Sequence, residues 1–347
     1  MRRVAIGGIP AALCAALLFG AGTPFAKLLL GPISPWLLAG ILYLGSGAGL
    51  ALVHFLWRGR GARIAKADVP WLAAAIALGG IVGPVLLLWG LVRMPASSAS
   101  LLLNSEGVLT ALLAWFVFRE NFDRRIAMGM LLIVAGAVVL SWPERAEPES
   151  LLPSLAVVGA CLAWAMDNNL TRKISLSDAT LIAMFKGLAA GLVNVSLALV
   201  AGASLPALAS LGAAALLGFL SYGLSLVLFV RALRDLGTAR TGAYFSTAPF
   251  AGALLAVLLL QEPVTWSFAI AAALMALGVW LHLTEHHVHA HSHDRADHDH
   301  EHGHDLHHRH DHASPVAPGT RHRHAHHHDS LTHAHEHYPD AHHRHDH

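Results

Sequence analysis

From Ile9 to Leu283 the chain is a series of long apolar stretches separated by short polar or Gly/Pro-containing turns. The stretches keep neither the period-two alternation of a half-buried strand nor the one-sided stripe of a surface helix. They are apolar all round, which is the pattern of helices enclosed by protein or lipid. A membrane-crossing helix needs about 20 mostly apolar residues. Ten stretches predict one each: Ile9–Leu30, Pro35–Trp57, Val69–Val92, Ser97–Phe118, Ile126–Trp142, Leu151–Leu170, Ala179–Ala201, Pro206–Val230, Thr241–Leu260 and Val264–Leu283. Helices are required because hydrocarbon cannot satisfy an exposed backbone. Gly45, Gly49, Gly129 and Gly136 predict close helix approach. Arg2-Arg3 followed by an apolar run resembles a secretory signal, but the run continues to Leu30 and many more follow. It is therefore expected to remain as the first span.

After Leu283 the pattern stops. The segment from Thr284 to His347 is polar and contains all but two of the 27 histidines, the exceptions being His54 and His282. Pro315 and Pro318 interrupt it and its apolar residues are scattered, so it is expected to be disordered.

Composition agrees with the pattern. Hydrophobic residues are 55% of the chain and charged residues 13%, against about 25% charged in soluble chains. The net charge of +1 implies no nucleic-acid partner. Cys14 and Cys161 lie in apolar runs and read as small buried residues, not a disulfide.

Basic residues predict the orientation. Arg2 and Arg3 precede the first span, and Arg58, Arg60, Arg63 and Lys66 follow the second. Arg119, Arg124 and Arg125 follow the fourth, Arg172 and Lys173 the sixth, and Arg231, Arg234 and Arg240 the eighth. The opposite loops hold only Arg93 and Arg145. Both termini, and with them the histidine segment, are placed in the cytoplasm of a multi-pass protein of the cell (inner) membrane.

The two halves are alike. Arg119-Glu120 closes the fourth span and Gln261-Glu262 the ninth, each followed by a last span with glycine near its end. Five spans per half is odd, so the second copy is inverted, the arrangement of alternating-access transporters with a site at the midplane between the halves. The fold class is thus an all-α polytopic membrane protein: ten helices as two inverted five-helix repeats, residues 1–145 and 146–283, plus the tail, residues 284–347.

Phe19-Gly20 followed by Lys27, Trp164, Thr247-Ala248-Pro249 and Gln261-Glu262, within this five-plus-five layout, resemble a drug/metabolite transporter of the EamA type. The resemblance covers roughly Ile9 to Leu283. It implies secondary transport, commonly export of small organic solutes, through a cavity lined by the first, third, fourth, sixth, eighth and ninth spans. Where the second half has Pro249, the first has Glu106-Gly107. A glutamate deep in a span departs from the family pattern and puts the family's substrates in doubt.

Four ionisable residues lie inside spans: Lys27, Glu106, Asp167 and Lys186. Each costs about 2.5–3.5 kcal/mol to insert, so such groups normally face a cavity or one another. Glu106, near the middle of its span with Asn104 and Ser105 beside it, is the leading site residue, able to carry a proton or bind a cation. Asp167, with Asn168 and Asn169, makes a hard oxygen-donor set if it faces the cavity. An ion pair between Asp167 and Lys186 is the structural alternative. Lys27, near a span end, is expected to snorkel. Asn194 is expected to hydrogen-bond between helices. Pro249 frees the carbonyl of Phe245, and Pro84 that of Gly80. Trp89, Tyr222 and Tyr244 are candidates for an aromatic wall. The substrate path is therefore expected at Glu106, Asp167, Asn168, Lys186, Asn104, Lys27, Pro249 and Tyr244.

No His-Glu-x-x-His, Gly-x-Ser-x-Gly or phosphate-binding loop occurs. The chain is read as no enzyme, requiring no cofactor. The tail has other chemistry. Imidazole with interspersed carboxylate suits nickel, cobalt, zinc and copper(II), and no cysteine or methionine is present for soft copper(I). In an extended strand His-x-His sets both rings on one side. His287, His289, His291, His293, His298, His300, His302, His304, His326 and His328 are the candidate ligands for nickel, cobalt or zinc. The leading expectation is an exporter of a divalent metal, or of a metal-linked solute, to which the tail delivers cytoplasmic metal. The alternative is a small-metabolite or drug exporter whose tail only senses or buffers metal. A third is a membrane-anchored metal store that no longer transports. The expected partners are the lipid bilayer, the small-molecule or metal-ion substrate and a second copy of the chain in a homodimer.

Overall fold

The computed structural model describes residues 7–56, 66–118, 124–142, 151–174, 179–236, 241, 244–284, 288–293, 296–302, 322–328 and 331–336. The chain forms two units, Met1–Glu285 and His286–His347.

The first unit is helical. In order it comprises α1 (Gly8–Leu29), α2 (Pro35–Leu56), α3 (Val69–Ala75), α4 (Gly83–Arg93), α5 (Ala96–Leu102), α6 (Ser105–Phe118), α7 (Arg124–Ser141), α8 (Leu152–Lys173), α9 (Ala179–Val200), α10 (Leu208–Gly218), α11 (Ser225–Leu236), α12 (Ala248–Leu260) and α13 (Trp266–Leu283). Two π-helical stretches, Ile76–Val82 and Phe219–Leu224, join α3 to α4 and α10 to α11. Among the described residues, five continuous stretches are long and apolar enough to cross a membrane: Gly8–Leu29, Pro35–Leu56, Lys66–Arg93, Thr180–Val200 and Leu208–Phe229. The segments around residues 103 and 246 give shorter helices because the backbone leaves helical geometry there.

Local chemistry sets several of these ends. Gly202, at φ 87°, turns the chain after α9, a conformation glycine adopts without a Cβ penalty. Gln261 takes the left-handed region at φ 52° and stops α12. The Thr265 side chain caps α13 by accepting from the Phe268 N–H at 3.1 Å.

Helices close on one another through glycine. A Cβ on Gly187 would lie 2.6 Å from the Gly47 nitrogen, which brings α2 and α9 to backbone contact. Gly45 meets Ala215, Gly49 meets Phe219, Gly136 meets Met275, and Gly278 meets the carbonyl of Gly129. All four glycines singled out from the sequence therefore lie at helix crossings. Leu37, Leu38, Leu42, Leu88, Leu91 and Leu102 fill the main core. The outward face is apolar too: Phe55 is 77%, Leu131 67% and Leu258 65% exposed. An apolar surface of that kind suits hydrocarbon, not water.

The second unit differs from expectation. Its described residues form strands β1 (Val288–His293), β2 (Ala296–His302), β3 (His322–His328) and β4 (Leu331–Glu336). β1 pairs antiparallel with β4 and β2 with β3. Composition excludes a hydrophobic core, but a two-stranded ladder needs none, because its backbone groups satisfy one another. Such an isolated ladder is only marginally stable in water. Histidine stands opposite histidine at His289↔His335, His291↔His333, His298↔His326, His300↔His324 and His302↔His322. His287 and His304 lie outside the described residues.

Candidate functional site

Two interrupted helices meet at one cavity. Between α5 and α6 the chain leaves the helix at Leu103-Asn104, where the Asn104 amide Nδ2 donates to the Leu101 carbonyl at 2.9 Å. Before α12 it leaves the helix at Ser246-Thr247, where Thr247 Oγ1 donates to the Tyr244 carbonyl at 2.6 Å. Pro249 stands in the first turn of α12 and cannot donate back. Both breaks border a cavity of about 190 Å³ whose lining includes Phe19, Asn104, Glu106, Gly107, Phe245 and Pro249.

Glu106 is the cavity's carboxylate. It is half-buried and belongs to the first turn of α6, its own N–H donating to the Leu103 carbonyl at 3.1 Å; the N-terminal end of a helix favours an anion. Asn168 reaches across from α8, its Nδ2 donating to Glu106 Oε1 at 2.8 Å. Gly107 is exposed, and a Cβ placed there would meet nothing within 4 Å.

Asp167 faces elsewhere. Its carboxylate pairs with the Lys186 ammonium at 2.6 Å, and Thr171 Oγ1 donates to it at 2.9 Å. Asn169 points a third way, its Nδ2 bonding the carbonyls of Ala165 at 2.8 Å and Thr110 at 3.4 Å. The expected oxygen-donor set of Asp167, Asn168 and Asn169 is therefore not assembled. Consecutive helix residues are turned about 100° apart, so each finds a different neighbour.

The π-helical stretch Ile76–Val82 anchors this region. Tyr43 OH donates to the Gly79 carbonyl at 2.7 Å and Trp164 Nε1 to the same oxygen at 2.9 Å. Gly79 packs on the Asp167 carboxylate so tightly that a Cβ would overlap it. The Gly80 carbonyl, which Pro84 cannot satisfy, accepts from Asn194 Nδ2 at 2.9 Å, and Trp36 Nε1 donates to Asn194 Oδ1 at 3.2 Å. Two separate sequence expectations, the freed carbonyl and the interhelical asparagine, are thus one interaction.

Lys27 is half-buried and has protein partners. Its ammonium donates to the carbonyls of Leu91, Val92 and Met94 at the C-terminal end of α4. At the same turn, Glu262 accepts from the Ala96 N–H at 2.7 Å and the Ser97 N–H at 2.8 Å. A helix C-terminus favours a cation and an N-terminus an anion. Lys27 is not among the residues lining the cavity, although its helix supplies Phe19.

An aromatic series runs beside the cavity. Phe229 lies 4.8 Å from Phe245, Phe245 5.3 Å from Phe19, Phe19 5.9 Å from Tyr222, and Tyr222 5.7 Å from Tyr43, centroid to centroid. Tyr222 belongs to it but does not line the cavity. Tyr244 instead packs among Leu228 and Ala232, and Trp89 lies under the Arg93 guanidinium at 3.9 Å. Sequence alone does not single out Phe19, Phe245 and Tyr43 for a wall, since no spacing connects residues on separate helices. Among the described residues no group of three or more His, Cys, Asp or Glu is placed to hold a metal ion. Cys14 and Cys161 are both free thiols; Cys161 is buried as expected, whereas Cys14 is exposed on α1.

Known proteins resemble this chain along most of the helical unit. An uncharacterized transporter of Methanothermobacter thermautotrophicus is 29% identical over 302 residues, covering 81% of this chain and 87% of that one. A probable 4-amino-4-deoxy-L-arabinose-phosphoundecaprenol flippase subunit, ArnE, of Pseudomonas aeruginosa is 49% identical over 72 residues, 20% of this chain and 59% of that one. A protein crystal structure superposes with a TM-score of 0.61 at 22% identity, over 78% of this chain and 94% of that one, which is a likeness of fold. The model of the EamA-like transporter family matches twice, at residues 6–142 and 151–284, and with that double match the chain belongs to the EamA-like transporter family.

Proposed function

We propose that the protein is a secondary exporter of small organic solutes carrying one positive charge, with the cavity at Glu106 as its site. The observation that carries this reading is the meeting of two helix breaks at that one carboxylate. Discontinuous helices near the midplane are where transporters of repeated architecture bind cargo. Ten spans in two inverted repeats are supported by the packing. α1 lies against α11 and α12, just as α8 lies against α4 and α6. The π-helical stretches fall in the third and eighth spans, the breaks in the fourth and ninth. The basic loops support cytoplasmic termini, and the resemblance to EamA-type transporters, commonly exporters of small organic solutes, supports the outward direction.

Charge balance selects the cargo. Asp167 and Lys186 cancel, leaving Glu106, among the described residues, as one uncompensated negative charge in the cavity. A proton or a monocation neutralises it, whereas a bare divalent ion leaves a net positive charge, and unpaired charge at membrane depth is costly. Phe19 and Phe245 line the cavity, and aromatic rings can attract an organic cation. The ArnE flippase subunits are named for 4-amino-4-deoxy-L-arabinose-phosphoundecaprenol, which shares an amine with this reading but carries it on a phosphate-linked lipid. Metal as cargo is the second reading. Its support is the tail, where histidines stand opposite one another in register. On the first reading that tail binds nickel, cobalt or zinc as a sensor or buffer.

A growth screen of a strain lacking the gene, across organic amines and divalent metals, tests the choice. Sensitivity to amines, restored by the wild-type gene but not by Glu106→Gln, is expected. Sensitivity to nickel, cobalt or zinc with none to amines overturns the organic reading, and makes metal the cargo if Glu106→Gln, which keeps the tail, fails to restore tolerance.

A further inference from the structure

The cavity lies between α6 and α12, and both helices continue past it toward one end of the bundle through α5 and the turn at Gln261. Between the cavity and that end the packing is closed by backbone. A Cβ on Gly20 would overlap the carbonyl of Ala248, and one on Gly252 would lie 2.6 Å from the Gly20 carbonyl and 2.9 Å from Ser100 Oγ. Beyond this layer the end itself is tied. Glu262 accepts the N–H groups of Ala96 and Ser97, joining the end of α12 to the start of α5. Lys27, from α1, donates to the Leu91, Val92 and Met94 carbonyls, so the same turn is held from its other side. Each contact sets a full charge on the open polar groups of a helix end, the stronger kind of hydrogen bond.

We propose that Lys27 and Glu262 are the latch of the outer gate: they clamp the 91–97 turn onto α1 and α12 and keep the Glu106 cavity shut on that side. The proposal rests on transport through that cavity and on the orientation given above. For cargo to leave outward, α5 must part from α12, and the two Glu262 hydrogen bonds span the gap between them at that end. Release is reversible because both charged groups are beside water once the turn moves. A merely structural cap would hold the turn in every state; a latch holds it in one.

Cysteine accessibility reads the difference. In the full-length protein carrying Cys14→Ser and Cys161→Ala, Gly107→Cys places a thiol in the cavity without a clash. A membrane-impermeant maleimide is applied to intact cells and to inverted vesicles. With the latch intact, labelling from the cytoplasmic face is expected to dominate. Glu262→Gln and Lys27→Met should each raise labelling from outside roughly tenfold, the scale of one charge-assisted hydrogen bond. An unchanged ratio in both variants overturns the latch. So does a fall in melting temperature with no change in ratio, which marks Glu262 and Lys27 as structural caps. Gly31→Cys, at the tied end and in open space, checks the orientation separately. Labelling from outside is expected there; labelling only from the cytoplasmic face overturns the orientation, and leaves the Gly107→Cys ratio to judge whether a latch exists.

Discussion

Asn168 Nδ2 donates to Glu106 Oε1 at 2.8 Å. The bond joins α8 of the second half to α6 of the first, beside the cavity that Glu106 lines. It engages one carboxylate oxygen, so a cargo cation or a proton can take the other. Replacing Glu106 with Gln keeps the size and the hydrogen bond but removes the charge. Transport measured in proteoliposomes should fall by ~100-fold, the usual scale for one well-placed polar or proton-transferring group, and the remaining flux should lose its dependence on pH. Undiminished flux would return Glu106 to a structural role.

Gly107 tests the cavity without touching its charge. Because a Cβ there meets nothing within 4 Å, Gly107→Leu should fold normally and fill the space. The expected result is lost flux with a melting temperature within about 2 °C of the parent, consistent with surface-like changes of roughly ±0.5 kcal/mol. A strongly lowered melting temperature would mean the site is packed, not open.

Asp167 and Lys186 should behave as a pair. Lys186→Met leaves a buried carboxylate without its partner and is expected to cost about 3–5 kcal/mol. Adding Asp167→Asn should recover most of that loss, since no unpaired charge remains. Gly79→Ala is expected to be as damaging as the single change, because the new methyl overlaps the Asp167 carboxylate. Thermal unfolding in detergent compares the three. Equal losses in the single and double variants would show that the pair is not coupled.

Asn194 ties the freed carbonyl of Gly80 to Trp36. Asn194→Leu should cost about 1–3 kcal/mol, the penalty of an unsatisfied buried acceptor. Pro84→Ala in the same background should lessen the cost, since the restored N–H can return to Gly80. The double-mutant cycle measures that coupling, and strict additivity would deny it.

Truncation after Glu285 addresses the tail. Equilibrium dialysis should show nickel, cobalt or zinc bound by the full chain and largely lost from the truncated one, while amine flux by the helical unit persists. Loss of flux along with metal binding would tie the tail to permeation.

Much of the site is legible in the sequence because the rules involved are local. An apolar stretch of about 20 residues is a span wherever it packs. A proline frees the carbonyl four residues earlier whatever surrounds it, so Pro84 and Gly80 are linked from sequence alone. Glu106 is conspicuous because charge inside a span is rare. What the sequence by itself determined is this set: the apolar helices, the two alike halves, the prolines that interrupt them, and the few residues that hydrocarbon cannot accept. The partners were decided elsewhere. Asp167, Asn168 and Asn169 are consecutive, yet one meets Lys186, one meets Glu106 and one meets Thr110. Lys27 binds the carbonyls at the end of α4. These outcomes depend on how each helix is rotated and how closely glycine lets its neighbours approach. That rotation is a property of the packed bundle, because a helix apolar on every side carries no stripe to say which face turns inward.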